Sequence, residues 1–331
     1  MNLTREVLIA EKQKYLTKML NTSKINSIFD VITINKSTRS APSNVVKIAL
    51  HDVICNDTTI CDTPCKVLEI DTTKKYFKFT KPNSDNLVVY IHGGGFVNGF
   101  ALQGTFIMKA MMKYFGTKCI AIDYPLSPEN IYPTALEKLY DIYIELLKTY
   151  NAKNIILIGE SAGSNLVISL MLRLKQNKIH LPACAVLPSG FYDLTCSNKS
   201  YDYNSYTDPS LTKLELEHMA IAYVNGDNLN VDKNKYKDPQ VSPVFANLEG
   251  LPPLFFSVCK DELLYGDTIT MVEKCKAQNV TYFLHESEKC FHAYMVLGEF
   301  FPESKRSTLK AVDFIASHTN IKLAYDKKTS K

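Results

Sequence analysis

The chain is 331 residues long and 46% hydrophobic, enough for one large core with or without an added subdomain. Its formal net charge of +4 is spread along the chain, so composition makes no case for a nucleic-acid partner. Nine cysteines lie scattered, with Cys61 and Cys65 the closest pair; they form no clustered zinc site and read as small apolar fillers or surface thiols.

No apolar leader follows Met1, because Thr4, Arg5, Glu6, Glu11 and Lys12 interrupt the run early. No stretch approaches the roughly 20 apolar residues that span a bilayer. The chain is therefore expected to be soluble and cytoplasmic. Val7, Leu8, Tyr15, Leu16, Met19 and Leu20 have helical spacing and predict a helix over 4–20. That helix lies over the rest of the protein or, as an alternative, rests on a membrane surface through its lysines. Short β-type runs follow at 45–50, 65–70, 76–80 and 87–91. Strands and helices then alternate: a strand at 119–123, a helix at 134–148, a strand at 154–158, a helix after Ser161 and a strand at 183–187. Further on come a strand at 254–258, a helix at 265–277, a strand at 281–285 and a last helix at 304–317. Continuous apolar strands alternating with helices predict an open, mostly parallel α/β sheet with helices on both faces.

Residues 190–250 break the alternation. They are rich in Tyr, Asn, Asp and Ser, with helical spacing only at 211–223. A long irregular insertion between core strands reads as a lid. The expected organisation is a catalytic core at 46–189 plus 246–331 and a cap at 1–45 plus 190–245. Tyr192, Tyr201, Tyr203 and Tyr206 either line its entrance or serve as packing. The basic tail at 326–331 is expected to fray.

Gly159-Glu160-Ser161-Ala162-Gly163 directly follows the run Ile155-Ile156-Leu157-Ile158, and Leu166, Val167, Leu170 and Leu172 continue it as a helical face. A serine between two glycines at a strand-to-helix turn is held out of the sheet, free to attack a carbonyl. Such a nucleophile needs a base, a group that orients the base, and donors for the developing oxyanion. Upstream, His92-Gly93-Gly94-Gly95-Phe96 follows the strand at 87–91. Six of the chain's 13 glycines (Gly93, Gly94, Gly95, Gly99, Gly159 and Gly163) fall in or beside these two motifs. Consecutive glycines let bare N–H groups point into a cavity, and His92 is expected to brace the loop at Gly93 by hydrogen bonding. The loop lacks the Gly-Lys-Ser/Thr ending and the G-x-G-x-x-G pattern of a phosphate cradle. Downstream, His292 lies in the loop past the strand at 281–285 and is preferred as base over His285, which ends that strand. Asp261 follows the strand at 254–258 closely and is preferred as the orienting carboxylate over Asp267, which falls in the next helix.

The chain resembles the hormone-sensitive-lipase-like family of α/β-hydrolases from about residue 86 to the last helix. The resemblance rests on the H-G-G-G-F loop at 92–96 with Val97-Asn98-Gly99 after it, and on Asp123-Tyr124-Pro125-Leu126-Ser127-Pro128-Glu129. The elbow at 159–163, Val241-Ser242-Pro243 and Leu251-Pro252-Pro253 complete it. It implies an α/β-hydrolase fold with an eight-stranded-type sheet and a mainly helical cap. It also implies a serine carboxylesterase acting on small, rather apolar esters, with no metal or organic cofactor. The implied roles are Ser161 as nucleophile, His292 as base, Asp261 as triad acid, and the N–H groups of Gly94, Gly95 and Ala162 as oxyanion hole. The family pattern is departed from at Pro125, Tyr265 and Ala293, positions that bear on substrate range. Two alternatives stand beside the esterase: a non-catalytic small-molecule receptor on the same fold, as in the gibberellin receptors, and a membrane-surface lipase or deacetylase. Homodimers are common in the resembling family.

Overall fold

The computed structural model describes residues 50–74, 82–226, 228, 232 and 234–324. The helix expected at 4–20, the strand expected at 76–80 and the basic tail lie outside them, as does the strand expected at 45–50 apart from Leu50.

Eight strands form one sheet: β1 (Val53–Ile60), β2 (Thr63–Ile70), β3 (Leu87–Ile91), β4 (Lys118–Ile122), β5 (Ile155–Gly159), β6 (Cys184–Pro188), β7 (Leu254–Cys259) and β8 (Tyr282–Ser287). Their spatial order is β1-β2-β4-β3-β5-β6-β7-β8. Strands β1, β2 and β4 pair antiparallel; from β4 to β8 every pairing is parallel.

The central strands are apolar without interruption because both faces of the sheet are covered. Successive side chains point to opposite faces. Leu87, Val89 and Ile91 accordingly join Ile155, Leu157, Ala185 and Leu187 in one core, while Val88 and Tyr90 join Ile156, Ile158 and Val186 in the other. Each fully buried Leu, Ile or Val contributes about 1.5–3 kcal/mol relative to exposure. The first core is closed by α2 (Thr134–Leu146), α3 (Ala162–Gln176) and α6 (Tyr265–Ala277), the second by α1 (Thr105–Phe115) and α7 (Pro302–His318).

Two of these elements were not anticipated. Edge strand β1 carries Asn56 and Asp57, poor strand formers, and is held by its full antiparallel register with β2. Helix α1 buries eight of its eleven residues, and its polar face is narrowed to Lys109 and Lys113, one turn apart.

The insertion between β6 and β7 contains α4 (Ser200–Tyr203) and α5 (Lys213–Asn225). A capping box starts α5: Glu215 N–H donates to Thr212 Oγ1 at 3.2 Å, and Thr212 N–H donates to Glu215 Oε2 at 3.0 Å. Tyr192 and Tyr201 are buried in the core under the insertion, so they are packing residues. Tyr203 and Tyr206 are exposed.

Candidate active site

Ser161 joins β5 to α3 at φ 56°, ψ −121°, a left-handed conformation that costs a non-glycine residue on the order of 1–3 kcal/mol. The surroundings hold it there. Ser161 N–H donates to the Pro188 carbonyl at 3.0 Å, and Phe191 N–H donates to the Ser161 carbonyl at 3.1 Å. Gly163 makes the sharp turn sterically feasible, since a Cβ there would lie 2.1 Å from the Ile91 carbonyl oxygen. The serine keeps 7% of its surface exposed.

The glycine loop leaves β3 beside this turn. Gly94 (φ 103°), Gly95 (φ 61°) and Phe96 (φ 66°) all have positive φ. Val97 and Asn98 N–H groups turn back to the Gly94 carbonyl, at 3.2 and 2.9 Å. His92 is buried, stacks on Tyr124 with ring centroids 4.2 Å apart, and its Nδ1 lies 2.7 Å from the Gly93 carbonyl oxygen. Burial lowers its pKa to about 4, only partly opposed by that backbone hydrogen bond, so the ring is neutral. With Nδ1–H donating, His92 holds the Gly93 carbonyl. Met219 of α5 roofs the loop: a Cβ on Gly95 would sit 2.1 Å from its Sδ.

His292 and His285 separate cleanly. His285 is buried within β8, with its Nδ1 3.3 Å from Lys310 Nζ; burial first, then the Lys310 and Arg306 charges, lower its pKa to about 4. His292 lies in the loop after β8, and its Nδ1 is 3.1 Å from Glu262 Oε1.

The carboxylate facing His292 is therefore Glu262, not Asp261. Asp261 turns outward, where its Oδ2 accepts from the Lys289 backbone N–H at 2.6 Å. Glu262 turns inward and is 1% exposed; its Oε2 accepts from Ser189 Oγ at 2.8 Å and from Cys259 N–H at 3.1 Å. The physical reason lies in the turn that ends β7. Glu262 N–H donates to the Cys259 carbonyl, and the insertion grips the far side, with Asn204 Nδ2 donating to the carbonyls of Lys260 and Glu262 at 2.8 Å each. Asp208 Oδ2 accepts from Leu263 N–H at 2.8 Å. Two adjacent carboxylates thus face opposite ways, and strand-end position alone does not distinguish them. Asp267 is also not part of the pair. It is buried in the first turn of α6, where Oδ2 accepts from the N–H groups of Tyr192 and Asp193 and from Tyr201 OH.

Burial alone would lower the pKa of His292. The Glu262 hydrogen bond and charge, with the charges of Asp208 and Glu160, outweigh that and hold it above the ordinary value. The segment 188–191 is the common neighbour of all three groups. It holds Ser161 through Pro188 and Phe191, Glu262 through Ser189 Oγ, and the His292 loop through Ala293 N–H donating to Ser189 Oγ at 3.0 Å. Ser189 and Glu262 escaped the sequence reading. So did Glu160, whose Oε1 accepts from Gly93 N–H at 2.8 Å.

An elbow serine, a braced glycine loop and a His–carboxylate pair at the C-terminal ends of β3, β5, β7 and β8 define a site of the α/β-hydrolase kind. A family model described as the alpha/beta hydrolase fold (Abhydrolase_3) matches residues 88–296. An esterase of Acinetobacter venetianus is 31% identical over 236 residues, covering 71% of this chain and 76% of that protein. Mouse hormone-sensitive lipase is 32% identical over 147 residues, covering 43% of this chain and 19% of the lipase. The crystal structure of an esterase/lipase from an uncultured bacterium superposes with a TM-score of 0.72 at 25% identity, covering 88% of this chain and 98% of that one. The chain belongs to the α/β-hydrolase family, in its hormone-sensitive-lipase-like branch. It is a carboxylic ester hydrolase. Among the described residues, no helix is long and apolar enough to cross a membrane.

Proposed function

We propose that the chain cleaves small, rather apolar carboxylic esters through an acyl-enzyme on Ser161, with His292 as general base and Glu262 as the carboxylate that orients it. The observation that carries this reading is the His292–Glu262 contact of 3.1 Å, tied through the segment 188–191 to a serine held at positive φ. With Nδ1–H donated to Glu262, the Nε2 lone pair is free to take the Ser161 proton as Oγ attacks the acyl carbon. The N–H groups of Gly94, Gly95 and Ala162 are the donors for the tetrahedral oxyanion. His292 then returns the proton to the leaving alcohol, and water cleaves the acyl-enzyme by the same steps.

The described residues of the 190–245 insertion act as the cap that bounds the ester. The preference for apolar groups is supported by Met219 on the glycine loop and by the stacking of Tyr223 of α5 on Phe96, with ring centroids 3.9 Å apart. The test is turnover of a p-nitrophenyl ester series from acetate to palmitate, with Ser161→Ala alongside. Turnover concentrated on the short chains and abolished in Ser161→Ala is expected; turnover independent of Ser161 overturns the reading.

A further inference from the structure

Glu160, the residue just before the elbow serine, is buried to 1% exposure. Its Oε1 accepts two hydrogen bonds, from Gly93 N–H at 2.8 Å and from Gln103 Nε2 at 2.8 Å. Its Oε2 faces the Tyr90 side without a hydrogen bond of normal geometry, and the Tyr90 hydroxyl is equally unpartnered. Enclosing a carboxyl group so completely is costly unless its hydrogen bonds do something that an apolar side chain would not.

What they do is couple two loops. Gly94 and Gly95 can adopt many backbone conformations and Phe96 holds positive φ against its local preference, so the sequence of the loop does not fix its shape. External contacts must fix the peptide planes. The Gly93 unit is gripped at both ends: its N–H by Glu160 and its carbonyl oxygen by His92 Nδ1 at 2.7 Å. Fixing that carbonyl fixes the Gly93–Gly94 peptide plane and therefore the direction of the Gly94 N–H. A Cβ on Gly93 would lie only 3.0 Å from Ser161 Cβ, so the loop packs directly on the nucleophile. Tyr124 OH adds a bond to the His92 carbonyl at 2.9 Å, and Glu160 reaches the loop from the nucleophile's own turn.

We propose that Glu160 is a positioning residue for the oxyanion hole, setting the distance between the Ser161 hydroxyl and the Gly94 and Gly95 donors through its bond to Gly93 N–H. The inference rests on the acyl-enzyme reading above. Misplacing donors by a fraction of an ångström weakens transition-state binding more than ground-state binding. A side chain that merely filled space would instead affect stability.

The test uses the full chain with p-nitrophenyl butyrate as substrate and an alkyl trifluoromethyl ketone as inhibitor. The ketone adds the serine oxygen to its carbonyl, and the resulting oxyanion occupies the hole. Glu160→Ala is expected to lower kcat by about 10- to 100-fold with KM within about twofold. The ketone Ki should rise by the same factor as kcat falls. Glu160→Gln keeps an acceptor oxygen and should recover most of both. Wild-type kcat and Ki in Glu160→Ala, or a glutamine variant no better than alanine, would overturn the proposal. Should the alanine variant fail to fold, Gln103→Leu removes the other donor that fixes Oε1; it should raise Ki several-fold at unchanged KM, and a wild-type Ki there would also overturn it. Turnover that survives Ser161→Ala would instead defeat the acyl-enzyme reading itself, so the two failures are distinguishable.

Discussion

Replacing Glu262 by Gln should disable the base, while replacing its neighbour Asp261 by Asn should not. Glu262 has two faces. Its Oε2 accepts from Cys259 N–H at 3.1 Å and Ser189 Oγ at 2.8 Å, and its Oε1 faces His292 Nδ1 at 3.1 Å. The Cys259 N–H is a backbone donor that cannot reverse its role, so a glutamine must present its carbonyl oxygen there. Its NH2 then faces His292 and forces Nδ1 to accept, which leaves the proton on Nε2, the atom that must take the serine proton. A wrong tautomer of this kind in a Ser–His–carboxylate site costs about 10⁴ in kcat, or about 5.4 kcal/mol at 1.36 kcal/mol per decade. Asp261→Asn keeps an oxygen for the Lys289 N–H, its contact at 2.6 Å, so kcat should stay within about threefold of wild type. The assay is steady-state hydrolysis of p-nitrophenyl butyrate by both variants, with circular dichroism to establish folding. A Glu262→Gln enzyme within tenfold of wild type, or an Asp261→Asn enzyme more impaired than Glu262→Gln, would refute the assignment.

Two further outcomes follow from the same geometry. His292 must be neutral to accept a proton and its pKa is held upward, chiefly against burial, by Glu262, so activity is lost as pH falls through that raised value. The acid limb of kcat/KM, followed from pH 5 to 9, should have its midpoint above about 6.5; a midpoint at or below 6 would contradict this. Gly163→Ala would drive a Cβ to within 2.1 Å of the Ile91 carbonyl and 2.6 Å of the His92 carbonyl, both backbone, so α3 must shift from β3. The expected cost exceeds about 2 kcal/mol, read as a fall in Tm of at least about 4 °C; an unchanged Tm would show that the turn is less constrained than described.

The sheet was legible from sequence because its central strands are buried on both faces. Strand β3 was expected over the residues it occupies, and the bounds of β5 and β7 were each shifted or extended by about one residue. Edge strand β1 was not legible, since half of its residues face solvent and its pattern is polar. Ser161, His292 and the glycine loop were open to a sequence reading for a related reason: each is the residue type that the proposed chemistry needs at a strand end, where few substitutes serve. Glu160 was hidden because the middle positions of an elbow tolerate many residue types.

Between Asp261 and Glu262, sequence had no means to choose. Both carboxylates leave the same strand end, one peptide apart, and strand periodicity stops at Cys259. Which of them faces His292 is decided by contacts distant along the chain: Asn204 and Asp208 from the insertion, Ser189 after β6 and Lys289 after β8. The sequence by itself determined the fold class and put forward Ser161 and His292 as the nucleophile and base of the proposed reaction, because local pattern and short motifs carry both readings. Only the tertiary structure decided which carboxylate faces His292 and what Glu160 binds, because a turn's orientation is set by what packs around it.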